Sequence, residues 1–163
     1  MTTLKSISMA VVIAATAMTA LAPMAEAAGL PDLKPAFNTK TGKLTVKNTG
    51  GAKAGRSIAT ISCSASGGGS CPDPTPAQMA PYTIPGYDDV AAIKFGPIAA
   101  NSSKSKVIGL VQTLNWLPGS YWLTVCVDAG QHVAESNEGN NCKRFRKTVR
   151  GRPALRLHLK SGS

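Results

Sequence analysis

Residues that carry out chemistry are scarce in this chain of 163 residues. It has two histidines, His132 and His158, and no Gly-x-Ser-x-Gly motif of the kind that presents a nucleophilic serine. Its four cysteines include no Cys-x-x-Cys pair, and neither histidine lies near a cysteine at a zinc-ligand spacing. These absences favour a protein that is not an enzyme and has no zinc site.

Long hydrophobic runs are also lacking, apart from residues 7–22, which are rich in alanine and short for a membrane span of about 20 residues. Lys5 precedes this run and Ala25-Glu26-Ala27 follows it, which is typical of a cleavable export signal. We therefore expect a secreted or periplasmic protein. Its predicted parts are a signal peptide at residues 1–27, a domain at 28–150 and a basic tail at 151–163.

Acidic residues are few: 8 Asp and Glu stand against 18 Lys and Arg, which gives a net charge of +10. No acid interrupts the segment from residue 143 to residue 160. Such a segment attracts anionic lipid or acidic polysaccharide, or it is only a solubilising strand face with a tail. No nucleic-acid partner is expected for an exported protein. The candidate anion-binding residues are Lys143, Arg144, Arg146, Lys147, Arg150 and Arg152.

Helical periodicity is missing after residue 28, where glycine and proline punctuate short segments of alternating polar and apolar residues. This pattern predicts an all-β domain. Seven strands are expected, the usual number for an Ig-like Greek-key β-sandwich. The first strand begins near residue 30, and the other six cover 43–47, 57–63, 90–95, 104–111, 121–127 and 142–149. Residues 64–87 form a long loop, either a binding loop or a tolerated insertion.

The cysteines of an exported protein are expected to form disulfides. Cys63 and Cys71 bracket a flexible Ser/Gly loop, and Cys126 and Cys142 flank a polar loop between two predicted strands. In the strand Tyr121–Val127, alternation places Cys126 on the face opposite the apolar residues. We therefore predict the pairs Cys63–Cys71 and Cys126–Cys142, the second one bridging a hairpin.

Residues 128–141, which we call the acidic–Asn loop, are the most distinctive segment of the chain. Glu135 and Glu138 are expected to accept backbone N–H bonds, and Val133 is expected to fill the end of the sandwich. The asparagines can take left-handed backbone geometry, and Gly130 and Gly139 permit positive φ angles. The alternative is a calcium site, because Ca²⁺ prefers hard oxygen ligands. Its candidate ligands are Asp128, Glu135, Asn137, Glu138 and Asn140.

The turn Leu117-Pro118-Gly119-Ser120 leads into Tyr121 at the start of a strand. A tyrosine in this position is typical of the tyrosine corner of Greek-key sandwiches, in which the phenol bonds to backbone a few residues upstream. An ordinary core tyrosine is the alternative.

Three segments together resemble the CARDB family, the cell-adhesion-related domain found in bacteria. They are Leu44–Gly50, Leu117–Tyr121, and Val127-Asp128 with Val133–Asn141. The resemblance covers roughly residues 30–150 and implies an Ig-like sandwich outside the cytoplasm, without catalytic residues. The chain departs from the usual family pattern in its single domain, its four cysteines and its basic tail.

The function expected from these patterns is a non-catalytic binding or adhesion module of the bacterial cell envelope. It would recognise a protein or glycan through its loops or a sheet face. Two alternatives are electrostatic docking of the basic C-terminal segment on anionic envelope surfaces, and a calcium-stabilised structural domain. No cofactor other than calcium is expected.

Overall fold

The computed structural model describes residues 29–66 and 70–151. The predicted signal peptide and the tail from Arg152 onward lie outside these residues. The described part contains seven strands, two short α-helices, and 3₁₀ turns at Ala80–Tyr82 and Glu138–Asn140. The strands are β1 (Leu33–Asn38), β2 (Lys43–Asn48), β3 (Ser57–Ser66), β4 (Ala91–Phe95), β5 (Ser102–Val107), β6 (Gly119–Cys126) and β7 (Cys142–Val149). The helices are α1 (Pro76–Met79) and α2 (Leu110–Thr113).

The strands form two antiparallel sheets, one with the order β1-β2-β5 and the other with the order β4-β3-β6-β7. The chain passes from one sheet to the other after β2, after β4 and after β5. These crossings are those of an Ig-like Greek-key sandwich. The predicted fold class and strand number are therefore confirmed.

Alternation along the strands places the hydrophobic core between the two sheets. In β6, Tyr121, Leu123 and Val125 are buried, while Trp122 and Thr124 between them are partly exposed. The opposite sheet contributes residues such as Leu44 of β2, which is completely buried. The predicted parity of β6 is thus confirmed, and this parity decides which side chains remain available on the outer face.

The predicted strand 104–111 is wrong at its C-terminal end. β5 stops at Val107, and the chain then turns into α2, beginning with Gly109 as its N-terminal cap. Ile108, Leu110 and Val111 are all buried, which strict two-residue alternation does not permit. A helical turn places Leu110 and Val111 against the core together.

The long loop predicted at residues 64–87 is more ordered than expected. β3 continues to Ser66, and Thr75 caps α1 by accepting a hydrogen bond from the backbone N–H of Gln78 at 3.3 Å. The side-chain amide of Gln78 donates to the carbonyl of Thr113 at 3.1 Å, and Met79 packs against the core cluster. The segment therefore docks on the sandwich beside α2.

Strands β6 and β7 run antiparallel and adjacent over their whole length, from the pair Gly119–Val149 to the pair Cys126–Cys142. Both predicted disulfides, Cys63–Cys71 and Cys126–Cys142, are present. The second joins directly opposed residues at the end of the hairpin, away from the core. It fixes the ends of the acidic–Asn loop.

The tyrosine corner is also present. The hydroxyl of Tyr121 donates a hydrogen bond to the backbone carbonyl of Leu117 at 2.8 Å, and the ring packs edge-on against Trp116 at 4.8 Å. Tyr121 is 3% exposed, so its hydroxyl needs this partner. The bond holds the turn that leads into β6.

Candidate functional site

The acidic–Asn loop begins with a buried carboxylate that organises the backbone. Asp128 is 2% exposed and accepts hydrogen bonds from the backbone N–H groups of His132 at 3.2 Å and Val133 at 2.9 Å. Both carboxylate oxygens are therefore engaged within the turn. The same turn directs Val133 into the core, where it is 7% exposed, as predicted.

Two further carboxylates tie the loop to itself and to β1. Glu135 accepts a hydrogen bond from the backbone N–H of Leu33, 102 residues away in sequence. Glu138 accepts from the backbone N–H of Glu135 at 2.9 Å and from the side-chain amide of Asn141 at 3.1 Å. The predicted pinning role of Glu135 and Glu138 is confirmed.

Two carboxyl groups at the contact between the loop and β1 have pKa values shifted in opposite directions. Glu135 is 8% exposed, and desolvation raises its pKa from 4.5 to about 7, although the Leu33 N–H opposes the shift. Asp32 lies on the β1 side of the contact, where the hydrogen bond from Lys34 lowers its pKa to about 2. Asn140 donates to Asp32 at 2.8 Å, which connects the loop to this carboxylate as well.

The proposed calcium ligands are occupied mainly by this internal network. Asn137 accepts from the backbone N–H of Gly139 at 3.0 Å, while the oxygens of Asp128 and Glu138 have the N–H donors given above. Within residues 29–66 and 70–151, no group of three or more His, Cys, Asp or Glu side chains is placed to hold a metal. The buried oxygens left without a partner are Glu135 Oε1, Asn140 Oδ1 and Asn141 Oδ1. Ca²⁺ takes six to eight oxygen ligands, so these three side-chain oxygens do not by themselves form a calcium site.

The positive φ angles of the loop do not occur at its asparagines or glycines. Positive φ angles occur at Asp128 (47°) and Gln131 (50°), whereas Asn137 is extended and Asn141 is right-handed. The turn closed by the Asp128 carboxylate imposes this geometry. A Cβ at Gly130 would meet the ring of His132 and the hydroxyl of Tyr87, so a larger residue there would displace these side chains.

The candidate anion-binding residues of β7 do not form one patch. Alternation places Arg144 and Arg146 on the outer face of the four-stranded sheet, and Lys143 and Lys147 on the side of the opposite sheet. Lys147 lies over the ring of Trp116 at 4.9 Å and donates to the carbonyl of Thr39 at 3.2 Å, and burial lowers its pKa. Arg150 follows the strand, and Arg152 lies outside the described residues.

The outer face of the four-stranded sheet combines hydroxyls, one indole and two guanidinium groups. Strand register places Ser62 beside Thr124 and Arg144 in one row. Ser64, Trp122 and Arg146 form the next row. We call this surface the arginine face; it consists of Ser62, Ser64, Ser120, Trp122, Thr124, Arg144 and Arg146.

Contacts within the arginine face hold its two guanidinium groups in place. Arg144 lies over the ring of Trp122, with its guanidinium carbon 4.9 Å from the ring centroid. Arg146 donates a hydrogen bond to the hydroxyl of Ser120 at 3.2 Å. These contacts use one N–H donor of Arg146 and none of Arg144, so most of the guanidinium donors are left available.

The arginine face contains no carboxylate. Among the residues described, the one salt bridge joins Lys34 to Asp32, in and beside β1. Arg144 and Arg146 therefore have no acidic partner in the described part of the chain. The sequence indicated the cations of β7 but not their grouping, because the register with β3 and β6 decides which hydroxyls and which indole lie beside them.

An apolar pocket of about 230 Å³ lies where α1, α2 and the Cys63–Cys71 disulfide cover the sandwich. Its lining includes Met79, Leu114 and Trp116. No sequence pattern indicated this pocket, because its wall is built from the docked segment 70–90 and from α2. Within the described ranges, no helix has the length and apolar character needed to cross a membrane.

Comparison with known proteins identifies the relatives of this fold. The model of the CARDB family matches residues 78–145. No curated protein sequence matches the chain. Among solved structures, a domain of a protein named as a cell surface protein of Methanosarcina acetivorans is similar with a TM-score of 0.50 and 19% identity, covering 74% of this chain and 92% of that one.

A second solved structure is the CARDB domain of a Pyrococcus furiosus protein in complex with di-metal ions. It is similar with a TM-score of 0.47 and 18% identity, over 74% of this chain and 89% of that one. The matched residues 78–145 include β4, β5, β6, the acidic–Asn loop and the start of β7. The resemblance to the CARDB family is therefore confirmed over residues 78–145, and the described residues form a β-sandwich similar in fold to the Methanosarcina domain.

Proposed function

We propose that the protein is an exported, non-catalytic binding module of the cell surface, and that it recognises a cell-envelope protein or glycan through the arginine face. The observation that supports this most is the contrast in hydrogen bonding. The acidic–Asn loop uses its carboxylates to hold its own backbone, whereas the arginine face presents guanidinium and hydroxyl groups without acidic partners. Cationic groups on a sheet that lack an acidic partner within the domain are available to an anionic partner outside it.

Location outside the cytoplasm is supported by two features. Two disulfides form in oxidising compartments and are rare in the cytosol. The family is a non-enzymatic surface domain, and the similar Methanosarcina domain comes from a protein named for the cell surface. The predicted signal peptide agrees with export, although it lies outside the described residues.

Docking through the basic C-terminal segment is the weaker candidate. The cations of β7 point to two sides of the sheet, and Lys147 is engaged with Trp116 and Thr39. A flat anionic surface could therefore meet Arg144 and Arg146, but not the whole set of Lys143, Arg144, Arg146 and Lys147. We therefore propose that the arginine face binds the partner, and not the basic C-terminal segment as a whole.

Retention of the purified protein on isolated cell envelopes tests this function. In the variant S62E/S64E two carboxylates stand on the outer face of β3, beside Thr124 and Trp122. The matched control is S103E/S105E, which adds the same charges to β5 on the outer face of the other sheet. We expect wild type and S103E/S105E to be retained and S62E/S64E to be lost from the envelope fraction.

Two outcomes would contradict the proposal. Absence of wild-type retention would remove the binding function itself. Equal retention of wild type and both variants would show that recognition takes place elsewhere, at the loops or the tail. Thermal unfolding of each variant controls for loss of the fold.

A further inference from the structure

We infer that the arginine face binds an anionic polysaccharide, with Arg144 and Arg146 contacting its carboxylate or sulfate groups. This inference rests on the proposed function and adds the chemical class of the ligand. It is argued from charge, from the geometry of the two guanidinium groups and from the hydroxyls around them.

The positive charge of the arginine face predicts a negatively charged ligand. Neither β3, β6 nor β7 contains an acidic residue, and all three strands contribute to the arginine face. Arg144 and Arg146 are exposed residues of β7, and neither has a carboxylate partner among the described residues. An approaching carboxylate or sulfate meets attraction without competition from a neighbouring acid.

Geometry favours planar or multidentate anionic groups. The guanidinium carbon of Arg144 lies 4.9 Å from the centroid of the Trp122 ring, and Arg146 donates a hydrogen bond to the Ser120 hydroxyl. A guanidinium group binds a carboxylate through two parallel N–H donors, and less conformational entropy is lost when a neighbouring side chain already restricts it. The two arginines are two positions apart on one strand, so their backbones are separated by about 7 Å. A linear polymer with repeated anionic groups can contact both.

Hydroxyl groups distinguish a polysaccharide from a lipid surface. Ser62, Ser64 and Thr124 lie in rows beside the arginines and can donate to or accept from sugar hydroxyls. The exposed large hydrophobic residues in the described ranges are Leu30, Val107 and Leu117, none of which belongs to the arginine face. Insertion into a bilayer requires exposed apolar side chains at the contact, so the composition of the face favours the hydroxyl-rich ligand.

The test measures binding of the purified protein to polygalacturonate, with neutral dextran as the uncharged polymer and phosphatidylglycerol vesicles as the lipid surface. The variant R144Q/R146Q removes two charges from the arginine face. The control K43Q/K47Q removes two charges from β2 on the outer face of the other sheet, where both lysines are exposed. Circular dichroism and the thermal midpoint verify that each variant is folded.

We expect wild type to bind polygalacturonate and not dextran, and R144Q/R146Q to bind it at least about tenfold more weakly. For K43Q/K47Q the loss is expected to be about twofold or less, because exposed charges outside the contact act only through screened attraction. R144K retains the charge but lacks the forked N–H donors of a guanidinium group, and it is also expected to weaken binding.

Equal losses in R144Q/R146Q and K43Q/K47Q would overturn the inference, since general attraction to a cationic protein would then explain the binding. Binding to vesicles without binding to polygalacturonate, equal binding to dextran, or no binding to polygalacturonate would overturn it as well. In each of these cases the envelope test could still support the proposed function, if wild type is retained on envelopes and S62E/S64E is not. The proposed function and the polysaccharide inference can therefore be refuted independently of each other.

Discussion

The acidic–Asn loop and the arginine face are adjacent, since β6 and β7 lead into and out of the loop, yet they use polar residues in opposite ways. In the loop, Asp128, Glu135 and Glu138 accept hydrogen bonds from backbone N–H groups of the same domain. On the arginine face, Arg144 and Arg146 have no acidic partner among the described residues. The acidic–Asn loop, the most distinctive segment of the sequence, therefore stabilises the fold. The candidate binding groups come from the outward-facing residues of β6 and β7, whose sequences show only two-residue alternation.

The disulfide at the base of the loop offers the largest stability effect. Replacing both cysteines in C126S/C142S removes a link across a 16-residue separation. We expect the free energy of unfolding to fall by about 3 kcal/mol, because the unfolded chain gains conformational entropy. Denaturant unfolding measures this change. A loss under about 1 kcal/mol would mean that the loop is held by its hydrogen bonds alone.

Asp128 is expected to have the next largest effect. The variant D128A leaves the buried N–H groups of His132 and Val133 without their acceptor and should cost about 2 kcal/mol or more. D128N is the control, since asparagine keeps one acceptor and tolerates the positive φ at this position. We expect D128N to lose less stability than D128A in thermal unfolding. Equal losses would show that the carboxylate contributes through its charge and not through its two hydrogen bonds.

Tyr121 tests the turn that leads into the arginine face. Y121F removes the hydroxyl that donates to the carbonyl of Leu117 at 2.8 Å but keeps the ring against Trp116. A loss of about 1 kcal/mol is expected, the usual contribution of one hydrogen bond. The control is Y82F, whose hydroxyl accepts a longer bond of 3.4 Å from Leu110 N–H. An effect of Y82F as large as that of Y121F would remove the special role of the tyrosine corner.

Glu135 makes the loop sensitive to pH. Its pKa is raised from 4.5 to about 7 in the folded protein, so between these values the folded state binds more protons than the unfolded state. The contribution of this group to stability is therefore complete below pH 4.5 and is lost as the pH rises through 7. E135Q, which keeps an acceptor for Leu33 N–H, should match wild type near pH 4.5 and exceed its thermal midpoint at pH 8. Parallel curves for the two proteins would contradict the role assigned to burial.

The smallest stability effect is expected on the arginine face. R144Q/R146Q changes exposed side chains that form one hydrogen bond and one ring contact, so its free energy of unfolding should stay within about 0.5 kcal/mol of wild type. This result, set beside that of D128A, would sharpen the contrast between the two regions. A loss comparable to that of D128A would mean that the arginines are structural.

Local patterns predicted the strands whose residues alternate. In β6 the parity of Tyr121 and its neighbours determined both the buried face and the hairpin disulfide at Cys126. The same alternation failed at residues 108–111, because three buried residues in a short stretch fit a helical turn better than a strand. Period alone does not distinguish these two outcomes when the segment is short.

The parts of the candidate site that could not be predicted from the sequence depend on contacts between residues far apart in the chain. Glu135 accepts from Leu33 across 102 positions, and no local pattern specifies that partner. The arginine face requires the register that places Ser64 of β3 beside Trp122 of β6. The calcium hypothesis arose from counting oxygen ligands, whereas most of these oxygens are used by neighbouring N–H groups.

Residue-resolved NMR of the purified protein during titration with oligogalacturonate tests the central claim most directly. The account predicts that chemical-shift changes concentrate on the amides of Ser64, Arg144 and Arg146 and on the indole N–H of Trp122. Residues 128–141 and β5 should show little change. Shifts centred on the acidic–Asn loop or on β5, with the arginine face unaffected, would contradict the account.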